Sequence, residues 1–119
     1  MAIARAELGA GVLADHGRLA QAVAEPDRRE DGREAYPGIV PKAAALLLAM
    51  LRLRPFSRSN AKVALLAITV FLNRNGLDLE AQDDELIALV AVAATGELSV
   101  LQAGSALERF VVRLTPPAE

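Results

Sequence analysis

The stretch from residue 42 to residue 74 constrains this chain more than any other part of it. From Lys42 to Leu53 it reads Lys-Ala-Ala-Ala-Leu-Leu-Leu-Ala-Met-Leu-Arg-Leu. Alanine and leucine are strong helix formers, and the segment is apolar on almost every face, which marks a central, buried helix. Pro41 stands at its first turn, where proline is tolerated, and Pro55 stops it. A second helix is expected from about Asn60 to Arg74, carrying Val63, Leu65, Leu66, Ile68, Val70, Phe71 and Leu72. Asn75-Gly76 closes it as a left-handed cap pair. Two buried helices joined by the short polar loop from Arg54 to Ser59 therefore form the centre of the fold.

Shorter helices are expected around this pair. Ala2 to Val12 reads as a short helix ended by Gly9 or Gly11. Asp15 is an N-cap residue type, and the helix after it carries Leu19, Ala22 and Val23 on one face, with Pro26 past its end. A further helix begins near Gln82, with Asp83, Asp84 and Glu85 suited to its positive end; it carries Leu86, Ile87, Leu89, Val90 and Val92 and ends at Gly96. Ser99 and Gln102 have capping-box spacing and open a last helix with Val100, Leu101, Ala103, Leu107, Phe110 and Val111 on its stripe. Thr115-Pro116-Pro117 ends the fold. Val70-Phe71 and Val111-Val112 are too short for strands and stand in helical contexts. The expected fold is all-α: a small helical bundle around a buried helix–loop–helix, one domain over residues 1–119. Residues Asp27 to Gly38 are charged and turn-rich, which reads either as a solvated loop or as a flap over a site.

Composition removes several function classes. Hydrophobic residues make up 53% of the 119 positions and mean hydropathy is +0.29. So small a chain hides that much apolar surface only with difficulty, so helices apolar all round, an interface such as a homodimer, or both are expected. A net charge of -2 gives no basic excess for nucleic acid. Cysteine is absent and His16 is the sole histidine, which leaves no thiolate or multi-histidine metal site. The longest apolar run, Val63 to Leu72, is interrupted by Thr69 and falls short of the roughly 20 residues a membrane span needs. The opening Met-Ala-Ile-Ala-Arg-Ala-Glu has no basic and apolar signal pattern. A cytoplasmic protein is expected.

The loop Arg54-Pro55-Phe56-Ser57-Arg58-Ser59-Asn60-Ala61-Lys62 ends on a helix N-terminus, where backbone N–H groups favour anions. Ser59 is a natural N-cap type. Arg54, Arg58 and Lys62 cluster there with Arg52 nearby, and basic side chains beside a helix N-terminus are unfavourable unless an anion joins them. Arg54, Arg58, Ser59, Asn60 and Lys62 are thus candidates for an anion or nucleotide site; an exposed basic patch is the plainer reading. Phe56 reads as a core anchor for the loop. Asn60 is either a phosphate-loop residue or a cap. His16 reads as an ordinary helix-start residue.

An ordered set of segments resembles the Fic/Doc family, closest to its death-on-curing branch. It comprises Asp15-His16-Gly17 with Leu19, Ala22, Val23 and Pro26; Ala35-Tyr36-Pro37; Lys42 through Leu47; Arg54-Pro55-Phe56 to Asn60; Phe71-Leu72-Asn73-Arg74-Asn75-Gly76; and Ala94-Thr95-Gly96-Glu97-Leu98-Ser99. The resemblance covers roughly Asp15 to Phe110, with the family's first helix reduced to about Ala2 to Leu8. It implies a helical bundle around a central helix–loop–helix, and an enzyme that transfers part of ATP or a related nucleotide to a protein hydroxyl. Members of the Doc branch transfer phosphate to elongation factor Tu and are neutralised by a small antitoxin.

At the family's reactive positions this chain departs. Where the resemblance places a histidine general base, it has Arg54, which stays protonated and accepts no proton. Where it places a magnesium-binding acid, it has Arg58, which repels a divalent cation. Ser59 takes the small position, Ala61 the lysine-type position and Lys62 the arginine position, keeping charge but losing the bidentate fork; the family's second histidine falls on Leu48. Phe56 and Asn60 remain. The resemblance therefore implies a catalytically inactive relative with no bound metal and no required cofactor, acting on a protein partner such as an antitoxin-like or Fic/Doc-related protein. The alternatives are a residual nucleotide-dependent transferase and a non-catalytic anion or nucleotide binder.

Overall fold

Asp15 starts the first helix by the mechanism its side chain offers. Its backbone is extended and its carboxylate accepts the Arg18 N–H at 2.9 Å, satisfying a donor that has no partner within the helix. The computed structural model describes residues 13–114; the helix read over Ala2–Val12 and the stop at Thr115-Pro116-Pro117 lie outside them. Helix α1 runs His16–Ala24 and buries Leu19 and Ala22, while Val23 stands at the edge of that stripe and is exposed. A 3-10 turn, Glu25–Asp27, follows and buries Pro26.

The charged stretch is solvated, but it is not a loop. Strands β1 (Arg29–Glu30) and β2 (Arg33–Glu34) pair antiparallel, with Arg29 opposite Glu34 and Glu30 opposite Arg33. Asp31 and Gly32 turn the chain with φ of 52° and 78°. Two consecutive left-handed residues make the tight turn that Asp-Gly favours between strands, and opposite charges face each other across the pair.

Helix α2, Ile39–Leu53, is the centre of the molecule. It packs against α1, the Glu25–Asp27 turn and the three later helices. Val40, Ala43 to Leu47, Ala49 and Met50 are all buried, because a helix apolar on every side has neighbours on every side. Its start lies two residues before Pro41, so proline falls within the first turn, where no intrahelical N–H is lost. Helix α3, Asn60–Arg74, is its main partner and buries Val63, Ala64, Ala67, Ile68 and Leu72 against it. Thr69 satisfies its hydroxyl on the Leu65 carbonyl at 2.8 Å. After α3, the Asn75 side chain donates to the Phe71 carbonyl at 2.8 Å and Gly76 takes a φ of 80°.

Helix α4, Asp83–Ala94, opens with Glu85 accepting the Gln82 N–H at 3.0 Å. Helix α5, Val100–Glu108, opens with the reciprocal bonds between Ser99 and Gln102, 2.9 and 3.1 Å. Gly104 is buried facing Ala44 of α2 and Ala103 is fully buried, whereas Leu101 is 81% exposed.

One correction concerns strands. Leu77–Leu79 forms β3 and Val111–Arg113 forms β4, paired antiparallel with Asp78 opposite Val112. Val111 therefore leaves the helical stripe assigned to it: the N–H of Phe110 closes α5 on the Leu107 carbonyl at 2.9 Å, and the chain then extends. The fold is mostly α, with two short antiparallel strand pairs. Among the described residues no helix is long and apolar enough to cross a membrane.

Candidate functional site

The loop between α2 and α3 begins and ends on left-handed backbone. Arg54 closes α2 with φ 47° and ψ 60°, its N–H donating to the Met50 carbonyl at 3.1 Å. Ser59 precedes α3 with φ 61° and ψ 27°. The left-handed region costs a residue with a Cβ roughly 1–2 kcal/mol, and strain of this kind concentrates where structure is held for a purpose. Ser59 occupies the cap position, but its hydroxyl makes no capping hydrogen bond. A cap side chain reaches its helix from extended backbone, and Ser59 is left-handed.

Between these two residues the chain is tied down from both sides. The carbonyl of buried Pro55 accepts the N–H groups of Ala14 and Asp15, each at 3.0 Å. Phe56 forms a bridge with Leu13 and is only 4% exposed. Asn60, 8% exposed, accepts the Phe56 N–H at 3.0 Å and donates to the Phe56 carbonyl at 2.9 Å. Both ends of the carboxamide are thus engaged within the loop, turned away from solvent. Ser57, Arg58, Ser59 and Lys62 are exposed.

No carboxylate of a described residue pairs with Arg52, Arg54, Arg58 or Lys62. The sequence explains this. Between Glu34 and Asp78 there is no acidic residue, while Lys42, Arg52, Arg54, Arg58, Lys62 and Arg74 all fall there. The central helix–loop–helix is therefore positive in a chain whose net charge is -2.

A cavity of about 580 Å³ opens beside the C-terminal half of α2, facing the end of α4 and the start of α5. Its apolar lining includes Leu48, Ala49, Ala93 and Leu98, and its polar lining includes Arg52, Arg54, Glu25 and Tyr36. The structure thus gathers Arg54 with Leu48 in one cavity, whereas Arg58, Ser59, Asn60 and Lys62 are not part of its lining. His16 is exposed at the first position of α1. Among the described residues no three His, Cys, Asp or Glu side chains converge on a point.

Sequence reasoning passed over the polar network at the cavity edge. The Tyr36 hydroxyl donates to Glu25 Oε1 at 2.7 Å and accepts from Arg28 Nη2 at 2.9 Å. Arg28 also pairs with Glu25 at 3.2 Å and Glu30 at 3.1 Å, and its guanidinium lies 5.4 Å from the Tyr36 ring centroid. Lys42 Nζ bonds the Tyr36 carbonyl at 2.7 Å and Glu34 at 3.0 Å. Burial, and then the bond to Glu25, push the Tyr36 phenol above its ordinary value of 10.0. The hydrogen bond with Tyr36 raises Arg28 in turn. The spacing of Glu25 and Arg28, three apart, was the available signal.

No family model matches the chain. It is similar to Toxin Doc of Mycolicibacterium smegmatis, with 40% identity over 70 residues, 59% of this chain and 54% of that protein. The match agrees with the resemblance to the Fic/Doc family carried by the sequence. The chain spans about half the length of the relative it matches. The residue to which the resemblance assigns the family's base, Arg54, lies at the left-handed end of α2 and on the cavity wall. The one to which it assigns the metal ligand, Arg58, is exposed on the loop. These side chains do not fit a magnesium ion: a guanidinium offers donors only, and magnesium takes oxygen ligands.

Proposed function

We propose that this chain is a catalytically inactive Fic/Doc-like protein that works by binding a protein partner, in a toxin–antitoxin-like or regulatory system. One feature of the sequence supports the reading: cations, Arg54 and Arg58, fall where the resemblance places the family's base and metal ligand. Loss of a general base typically costs about 10²–10⁴ in rate. Loss of the metal site also removes charge neutralisation at the phosphates, where catalysis of phosphoryl transfer is almost entirely positioning and electrostatics. What the chain keeps is the scaffold, with Phe56 and Asn60 holding the loop. The name of its relative, Toxin Doc, suggests an antitoxin-like protein or an active Fic/Doc protein as partner, in the cytoplasm; a homodimer is the other use for its exposed apolar side chains.

The test is direct. Purified protein is incubated with magnesium and ATP labelled at either the α- or the γ-phosphate, alone and with cell lysate. The expected result is no label above that of an Arg54→Ala control. Label that appears on this chain or on a lysate protein, and vanishes in Arg54→Ala, supports a residual transferase instead.

The acid-free basic segment favours a second reading, a non-catalytic anion or nucleotide binder that needs no metal. Under it, inorganic phosphate or ATP raises the melting temperature and Arg58→Glu abolishes the rise. No change in melting temperature at millimolar ligand removes it.

A further inference from the structure

Two cavities of this fold share a wall. The first is the Arg54 cavity. The second, about 630 Å³, lies between the start of α2 and α5, where Val40, Pro41, Leu101 and Gly104 line it. Tyr36, Ser99 and Val100 line both. Ser99 and Val100 are fixed, because the reciprocal bonds of Ser99 and Gln102 lock the start of α5. Tyr36 is held differently. It follows a hairpin whose six residues, Arg29 to Glu34, are all exposed and include no apolar side chain. Hydrophobic burial therefore does nothing to seat that hairpin, and an isolated two-stranded hairpin is marginal in water. Its seating rests on Arg28 and Lys42, which join it to Glu25, Tyr36 and the first turns of α2.

We infer that Tyr36 is a charge-held latch between the two cavities, and that releasing its contacts to Glu25, Arg28 and Lys42 joins them into one groove from Arg54 to Leu101. Each ion pair in the latch has an exposed member, Arg28, Glu30 or Glu34, and pairs open to solvent are individually weak and screened by salt. The helices, packed through apolar side chains, are not. The latch therefore responds to ionic strength, or to a charged partner that competes for Arg28 or Lys42, at conditions where the bundle stays folded. This inference does not depend on whether the Arg54 loop binds nucleotide.

The chain reports on its own latch, since Tyr36 is its sole tyrosine and it has no tryptophan. Acrylamide quenching of tyrosine fluorescence is measured on the full chain between about 0.01 and 1 M salt, over which the screening length falls from about 30 to 3 Å. Helix content is followed by circular dichroism. The expected result is a rise in the quenching constant of about threefold, the scale of a few weak pairs, with helix content unchanged. Arg28→Met and Lys42→Met shift the low-salt value toward the high-salt one. The salt series needs no variant, so a misfolded variant does not decide the matter. Quenching that is flat across salt, or that rises only as helix is lost, overturns the latch.

Discussion

Asn60 turns its carboxamide back onto Phe56, taking both the N–H and the carbonyl of that residue at 3.0 and 2.9 Å. A side chain at the first position of α3 thereby closes the loop that precedes it, and the Phe56 ring is driven into the core. Asn60→Ala leaves two buried backbone groups without partners, which costs about 1–3 kcal/mol each where water cannot reach them. A loss of at least about 2 kcal/mol is expected in urea unfolding. Asn60→Asp is expected to fare no better, because a carboxylate keeps the acceptor but offers the Phe56 carbonyl no hydrogen.

Gly104 is buried in the middle of α5, at the edge of the second cavity, and a Cβ added there would come no closer than 3.9 Å to the Cβ of Ala44. That is ordinary contact, and the helical backbone suits alanine better than glycine. Gly104→Ala is expected to stabilise the protein by about 0.5–1 kcal/mol, chiefly by reducing the freedom of the unfolded chain. A lower unfolding midpoint would mean that α5 sits closer to α2 than these distances show.

The sequence made the helices legible where their signals were local. Asp15 and the Ser99–Gln102 pair announced their own starts, and the all-round apolar segments announced the centre. The pairing of Leu77–Leu79 with Val111–Arg113 was not legible, because each strand is three residues long and its partner lies more than thirty positions away; no local period reports such a contact. Asp31-Gly32 was a readable hairpin signal, obscured by charged neighbours that looked like plain solvated loop. At the site, residue type alone says that Arg54 and Arg58 accept no proton and ligate no divalent cation. The left-handed backbone of Arg54 and Ser59 was not legible, since neither residue type favours it.

Tyr36 supplies a pH prediction with a definite sign. Burial and the bond to Glu25 favour the neutral phenol in the folded state and raise it above 10.0. The folded protein therefore holds this proton more tightly than the unfolded chain does. The resulting stability is fully present below pH of about 10 and is lost as pH rises through the folded value. Phenolate absorbance reports this residue alone, since the chain has one tyrosine. Its midpoint is expected above 10 in the folded protein and near about 10 in urea. Glu25→Gln lowers the folded midpoint by removing the charge that opposes ionisation. Equal midpoints in the two states would show that Tyr36 is solvated and its bond to Glu25 not formed.

Arg54 provides the sharpest separation between stability and use. Its φ of 47° is one glycine accepts without strain. Its side chain has no carboxylate partner among the described residues, so truncating it forfeits no ion pair. Arg54→Gly is expected to raise stability by roughly 1 kcal/mol, the lower end of what left-handed backbone costs a residue with a Cβ. If the cavity it lines is where a partner docks, the same change weakens that partner's binding while raising the melting temperature. Ser59→Gly, with the same backbone but outside the cavity lining, stabilises without that loss. Binding that tracks stability equally in both variants would mean the Arg54 side chain contributes only to the fold.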